Sequence, residues 1–146
     1  MTGDDGASFL RHAQVFREIR TVVNTRGLSL AVGDHFLVRS TIVADNIAGS
    51  SGSDAFGALT SAGHNLIGQT DGSSGWDGTD LTGTADSPLD PLFGDFGNFG
   101  GPTKTLALLS GSPAIGQGDP AGPLTDQRGV ARSRTAPSIG AFEFTG

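Results

Sequence analysis

Short apolar, β-branched segments recur along the first half of the chain. They read TVVNT at residues 21–25, STIVADN at 40–46 and GHNLIGQT at 63–70. Their centres lie about 20 to 24 residues apart, and glycine- and serine-rich sequence follows the second and third, the pattern of a solenoid whose coils bury their inner faces on one another. An antiparallel sandwich would place turns every 8 to 12 residues or so. Only the first connection, through LSLAV and HFLV, approaches that spacing, so the sandwich is the weaker alternative.

In a parallel coil, equivalent side chains stack, which predicts aliphatic columns from Ile42, Val43, Leu66 and Ile67. Asn24 and Asn46 follow their strands at similar offsets. An asparagine at a coil corner can bond the backbone of the next coil, satisfying polar groups a tight turn leaves unpaired. Two asparagines in ordinary turns is the plainer reading of the same residues.

Residues 8–24 fit two periods. Phe9, Ala13, Phe16, Ile19 and Val23 fall at helical spacing, with Ser8 as N-cap and Asp4 and Asp5 near the positive end of the dipole. TVVNT, which closes the stretch, reads as strand, and a strand throughout is the alternative. The resulting division is an N-terminal capping segment at 1–20, coils at 21–70, and an irregular loop with a C-terminal cap at 71–146. From 71 to 99 regular patterning gives out. Trp76, Leu81, Leu89, Leu92, Phe93, Phe96 and Phe99 stand isolated among Gly, Asp, Ser and Pro, suited to anchoring an irregular loop on the flank of the coils.

Composition agrees with turns and short strands: 24 glycines and 7 prolines in 146 residues, and 36% hydrophobic residues. Nine basic residues against fifteen acidic ones give a net charge of −6, which argues against nucleic acid as a partner. With no cysteine there is neither a disulfide framework nor a thiolate metal site. No apolar run is long enough to insert in a membrane, and the first twenty residues lack the basic start and apolar stretch of a signal peptide.

By their order and spacing, STIVADN, SAGHNLIG, DPLFGDFGNFGGPTKTLALLSGSPAIGQGDP, TDQRGVAR and SIGAFEF resemble the choice-of-anchor Q domain. That domain is the C-terminal region of right-handed parallel β-helix (pectin-lyase-like) proteins of bacterial surfaces. The resemblance runs from about Ser40 to Phe144. It implies a right-handed parallel β-helix with an irregular C-terminal cap, and together with the strand spacing and the periodicity of residues 8–20 the expectation is an all-β fold: a short β-helix of about three coils, capped at its C-terminus, with a short helix as candidate at the N-terminus. It also implies an extracellular or cell-surface setting. The chain departs from the family where Gly116 and Ser138 replace frequent acids, and no repeat matches before Thr21, as expected of a piece of a larger protein, of a short relative, or of an N-terminus read from a doubtful start.

On this reading Gly100 and Gly101 admit backbone angles closed to other residues, Pro102 fixes the following turn, and TLALL lies as a strand on the open end of the coils. The segment is a lid, because a solenoid end exposes backbone and apolar side chains. Asp126, Arg128 and Glu143 are expected to lock it, with a guanidinium bridging two carboxylates. Three unrelated surface charges are the alternative.

Chemistry is weakly signalled. His12, His35 and His64 are too dispersed for a zinc site, and GSSG at 49–52 lacks the setting of a nucleophile elbow. Thirteen aspartates make chance carboxylate pairs inevitable. Arg39 and Lys104 are lyase bases only by elimination. Asp71, Asp77, Asp80, Asp86, Asp90 and Asp95 occupy a stretch without basic residues, which suits either calcium or solvated turns. The expectation is therefore a non-catalytic structural or adhesive module, with no assigned catalytic, cofactor or metal residue. The alternatives are a polysaccharide lyase or hydrolase remnant, and a carbohydrate-binding module in which Trp76 and Phe96 stack on sugar rings of a polysaccharide. An uncovered N-terminal coil predicts a homodimer.

Overall fold

The computed structural model describes residues 37–47 and 54–146 throughout and, before them, the strands β1 (Thr21–Val22) and β2 (Leu28–Ser29). The proposed helix at 8–20, Asn24, His12 and His35 lie outside the described residues. The remaining strands are β3 (Leu37–Val38), β4 (Ile42–Val43), β5 (Ala55–Ala58), β6 (Thr60–Ser61), β7 (Leu66–Ile67), β8 (Ser73–Ser74), β9 (Leu81–Thr82), β10 (Phe93–Gly97) and β11 (Thr105–Leu108). No helix occurs among the described residues, and the fold is all-β.

Three of the sheets are parallel. One has the order β1-β4-β7-β9, a second β2-β5-β8, and a third β3-β6. The chain visits them in rotation, β2, β3, β4, then β5, β6, β7, then β8 and β9. In the largest sheet the register aligns Thr21 with Ile42, Ile42 with Leu66, and Leu66 with Leu81, while Val22, Val43, Ile67 and Thr82 form the adjacent column. The expected columns of Ile42 over Leu66 and Val43 over Ile67 are present. The pairing continues beyond residue 70, however. Ser73–Ser74 and Leu81–Thr82 add strands inside the stretch expected to be irregular, where two-residue strands bear too little apolar sequence to be read.

Successive residues of these strands face opposite ways, and both ways are buried. Val43 and Ile67 pack with Val38, Ala55 and Leu59, with Trp76 against them. Ile42, Ala44 and Leu66 pack on the other side with Leu108, Ala114 and Ile139, flanked by Leu81, Leu89 and Phe93. A sheet covered on both faces shows consecutive apolar residues instead of alternation, which accounts for the Thr-Ile-Val-Ala run at 41–44. Ile42, Val43, Leu66 and Ile67 are each at most 1% exposed, and each contributes about 1.5 to 3 kcal/mol by burial.

The second cluster corrects the expected position of the lid. Leu108, Ala114 and Ile139 cover a column that crosses three successive strands, so the C-terminal segment lies along the flank of the largest sheet. Its polar contacts agree. Gly140 N donates to Ser40 O at 3.3 Å, Arg39 forms an ion pair with Asp119, and His64 Nδ1 lies 3.0 Å from Gln117 O. The physical reason is area: the outward aliphatic column offers more apolar surface than the two-residue end strands.

Thr105–Leu108 is a strand, as expected of TLALL, and it pairs antiparallel with Phe93–Gly97, with a register shift between Phe93 and Phe96. The turn between them depends on Gly100 (φ 92°) and Gly101 (φ 84°). A Cβ on Gly101 would come within 2.6 Å of Arg128 Cα, so glycine is required there for close approach as well as for backbone angle.

Candidate functional site

The densest polar constellation is in the C-terminal segment, where Thr125 bridges Ala131 across a tight antiparallel turn. That turn brings Asp126, Arg128 and Arg132 together. Arg128 Nη2 lies 2.6 Å from Asp126 Oδ2, with side chains 8% and 0% exposed. Asp126 Oδ1 also accepts the N–H groups of Arg128 at 2.8 Å and Val130 at 3.0 Å, and Oδ2 accepts that of Glu143 at 2.9 Å. Burial acts to raise the Asp126 carboxyl, and these hydrogen bonds outweigh it, holding the group below its ordinary value.

The expected lock of Asp126, Arg128 and Glu143 is therefore present with different wiring. Arg128 reaches Glu143 through the backbone, donating from Nη2 to Glu143 O at 2.7 Å. The Glu143 carboxylate belongs to Arg132, which sequence reasoning did not single out. Arg132 Nη1 lies 3.1 Å from Glu143 Oε2, and the guanidinium also donates to Ser138 O at 2.9 Å, Gly140 O at 2.6 Å and Thr125 O at 3.3 Å. Glu143 in turn accepts from Ser138 N at 2.8 Å and Ser133 N at 3.1 Å. Burial pulls the Arg132 guanidinium down from its usual value, with Glu143 and Asp126 opposing. Only the four-residue spacing of the arginines in TDQRGVAR hinted at two separate pairs. The Arg128 guanidinium also lies 3.6 Å above the Phe142 ring, which meets Phe99 edge-on at 5.7 Å.

A second polar feature joins neighbouring strands. Asn65, fully buried, accepts Thr41 N at 3.0 Å from the preceding turn of chain, while its own N–H and Nδ2 donate to Asp80 Oδ1 at 3.0 and 2.8 Å in the following one. It joins successive strands of one sheet, the kind of bond anticipated for Asn24 and Asn46. Asn46 Nδ2 donates to Asp54 Oδ1 at 2.8 Å and to Ala44 O at 3.2 Å. Asn65 precedes its strand and Asn46 follows one.

The remaining candidates go separate ways. Arg39 is held by Asp119, whose carboxyl is lowered first by the hydrogen bond from Arg39 and further by Ala121 N. Lys104 Nζ sits 5.9 Å above the Phe96 ring. Trp76 is half-buried, and its Nε1 donates to Ser73 Oγ at 3.0 Å, whereas Phe96 is 65% exposed. In the aspartate-rich stretch, Asp77 accepts from Thr79 N at 2.9 Å and Thr79 Oγ1 at 2.7 Å, bonds that keep its carboxyl low. Asp80 Oδ2 accepts Asp77 N at 2.7 Å, Asp90 accepts Leu92 N at 2.7 Å, and Asp71 accepts Ala85 N. Among the described residues no three acidic or histidine side chains converge as a metal would require, and no helix is long and apolar enough to cross a membrane. Neither family models nor curated proteins nor solved structures match the chain.

Proposed function

We propose that the three parallel sheets are the faces of a short right-handed parallel β-helix and that the chain is a non-catalytic structural or adhesive module of a surface protein, akin to the choice-of-anchor Q domain. Support for the architecture comes from the rotation of the chain through three parallel sheets in constant register, for which a right-handed crossover is the general rule. The motif pieces behind the resemblance also have coherent roles. STIVADN and SAGHNLIG supply β4 and β7, FGDFG and TLALL pair as β10 and β11, and TDQRGVAR joins SIGAFEF through the Arg132–Glu143 pair and the hydrogen bond from Arg128 Nη2 to Glu143 O.

The observation that carries the functional reading is the inward use of charge. Arg39 is paired with Asp119, which ties the C-terminal segment to the chain just before β4, while Arg128 and Arg132 are paired with Asp126 and Glu143 inside that segment, so the three guanidiniums are spent on building the segment and holding it in place. The test is incubation with pectic and other uronic-acid polysaccharides, followed in the near ultraviolet. No release of unsaturated oligosaccharide is expected, and release abolished by Arg39→Ala or Lys104→Ala would overturn the reading in favour of a lyase. Spin labels at the exposed pair Leu37 and Thr60, which are register partners, test the architecture, with spectral broadening expected for sites about 5 Å apart.

One exposed aromatic favours a second reading. Phe96, with Lys104 above its ring, offers the apolar face and cation of a carbohydrate platform. Glycan-array binding lost in Phe96→Ala, with the melting temperature unchanged, would select that reading.

A further inference from the structure

Two Asp–Gly bonds lie among the described residues, Asp71–Gly72 and Asp77–Gly78, while a third, Asp5–Gly6, lies outside them. Such a bond is chemically weak, because glycine has no side chain to shield its amide nitrogen from the neighbouring aspartate carboxyl. The fold treats the two differently.

Asp71–Gly72 is clamped. Ser73 closes the turn around it, donating from N and Oγ to Thr70 O at 2.9 and 2.6 Å. Gly72 O accepts Gly57 N at 2.9 Å, its backbone is left-handed at φ 83°, and the Phe56 ring lies 2.8 Å from where a Cβ would stand. The Asp71 carboxylate is engaged with Ala85 N, beyond β9.

Asp77–Gly78 has room to move. Both residues are exposed, and a Cβ on Gly78 would meet nothing within 4 Å. The peptide is part of a turn in which Asp80 N donates to Asp77 O at 3.1 Å. Thr79 N and Oγ1 donate to Asp77 Oδ1 at 2.9 and 2.7 Å. An aspartate bonded to the N–H two residues on is folded back over the peptide between them, which sets its carboxyl carbon beside Gly78 N. Thr79 and, more weakly, the Gly78 N–H hold the carboxyl below its ordinary value. Only the protonated minority can therefore lose an oxygen, which makes the reaction slow, but the same bonds keep the reacting atoms together.

We propose that Asp77–Gly78 is a site of spontaneous isomerisation to isoaspartate in the folded protein, and that Asp71–Gly72 is protected from it. Gly78 N attacks Asp77 Cγ and forms the C–N bond of a five-membered succinimide, while the amide proton and the carboxyl hydroxyl leave as water. The Thr79 donors face the oxygen on which charge gathers as the ring closes. A water molecule then opens the ring. Attack at the side-chain carbonyl restores aspartate, and attack at the main-chain carbonyl leaves the backbone running through Cβ and Cγ with the α-carboxylate free. Solvent is the sole co-reactant, and no atom is oxidised or reduced. The product lengthens by one methylene the turn that carries Asp80, whose carboxylate accepts Asn65 N, Asn65 Nδ2 and Asp77 N, so those bonds are loosened.

The test is to hold the protein for weeks at physiological temperature and pH, then titrate isoaspartate with protein L-isoaspartate methyltransferase and labelled S-adenosylmethionine. Electron-transfer fragmentation of the peptides reads the position. In the folded protein several-fold more isoaspartate is expected at residue 77 than at 71, and in urea, where the clamps are gone, the two positions are expected to react alike. Asp77→Glu, which would have to close a larger ring, is expected to lose the signal at that position, and Asp71→Glu to leave it unchanged. The isoaspartate fraction, separated by native ion exchange, is expected to unfold at lower urea than the unmodified protein. A folded protein modified at 71 as heavily as at 77, or modified at 77 only after unfolding, overturns the proposal, and an isoaspartate fraction as stable as the parent overturns the predicted loosening. Both decisive readings are made on the parent chain, so they stand even where a variant does not fold.

Discussion

Arg132 and Glu143 face each other inside the C-terminal segment, Nη1 to Oε2 3.1 Å apart, with side chains only 3% and 5% exposed. A buried pair of this kind is costly to break from one side, because the remaining charge keeps its burial and loses its partner. Arg132→Met is expected to lower the free energy of unfolding by roughly 3 to 5 kcal/mol. Glu143→Gln should cost comparably, since it strands the guanidinium. Urea denaturation measures both, and a double-mutant cycle should return a substantial coupling. A loss under about 1 kcal/mol, the scale of an exposed pair, would show that the network is solvated in solution.

Asn65 should matter more than other asparagines of similar composition context. Its replacement by Leu leaves Thr41 N without its acceptor and removes the side-chain one of the two donors that meet Asp80 Oδ1. An unsatisfied buried group costs about 1 to 3 kcal/mol, so a loss in that range or somewhat above is expected. Asn98→Ala is the control, because Asn98 is exposed and accepts only Gly100 N at 3.1 Å. Equal effects at the two positions would remove the inter-strand ladder from the account.

Residues whose burial follows from their own chemistry were legible. Ile42–Val43 and Leu66–Ile67 are apolar and, Leu66 apart, β-branched, and their spacing alone implied the columns that the register shows. Ser73–Ser74 was not legible, because nothing in a polar pair distinguishes a two-residue strand from a turn. The flank position of the C-terminal segment had left a mark in the unbroken apolar run around Ile42, a sign of a sheet covered on both faces, but the end of a solenoid was the more familiar place for a lid. Arg132 was overlooked for a different reason. The carboxylate that claims it lies eleven residues away in sequence, and which arginine reaches Glu143 is decided by the turn between Thr125 and Ala131.

Acid should loosen the C-terminal segment first. Asp126 is held below its ordinary value in the folded protein, so the unfolded chain takes up a proton more readily as pH falls. The contribution of Asp126 is complete above the unfolded value of about 3.9 and is lost on descending below it. Asp119 is shifted the same way, but Arg39 is 52% exposed and solvent screening limits that pair to at most about 1 kcal/mol. Unfolding free energy should therefore fall as the pH descends below about 4, with a shallower slope in Asp126→Asn. An identical slope in that variant would assign the acid sensitivity elsewhere.

Calcium should leave the protein unchanged. A carboxylate that binds calcium must turn its lone pairs toward the ion. In the aspartate-rich stretch Asp71, Asp77, Asp80 and Asp90 direct oxygens at nearby N–H groups, at Ala85, Thr79, Asp77 and Leu92 in that order. Binding would require exchanging those bonds, and each supports a turn that positions β8, β9 or the start of β10. Calcium at ten times the dissociation constant of a native-state site would stabilise the fold by about 1.4 kcal/mol, enough to raise the melting temperature by a few degrees. Thermal melts with millimolar calcium and with chelator are expected to coincide. A calcium-dependent rise abolished by Asp77→Asn would establish an ion site in the loop and reassign these aspartates from turn formation to coordination.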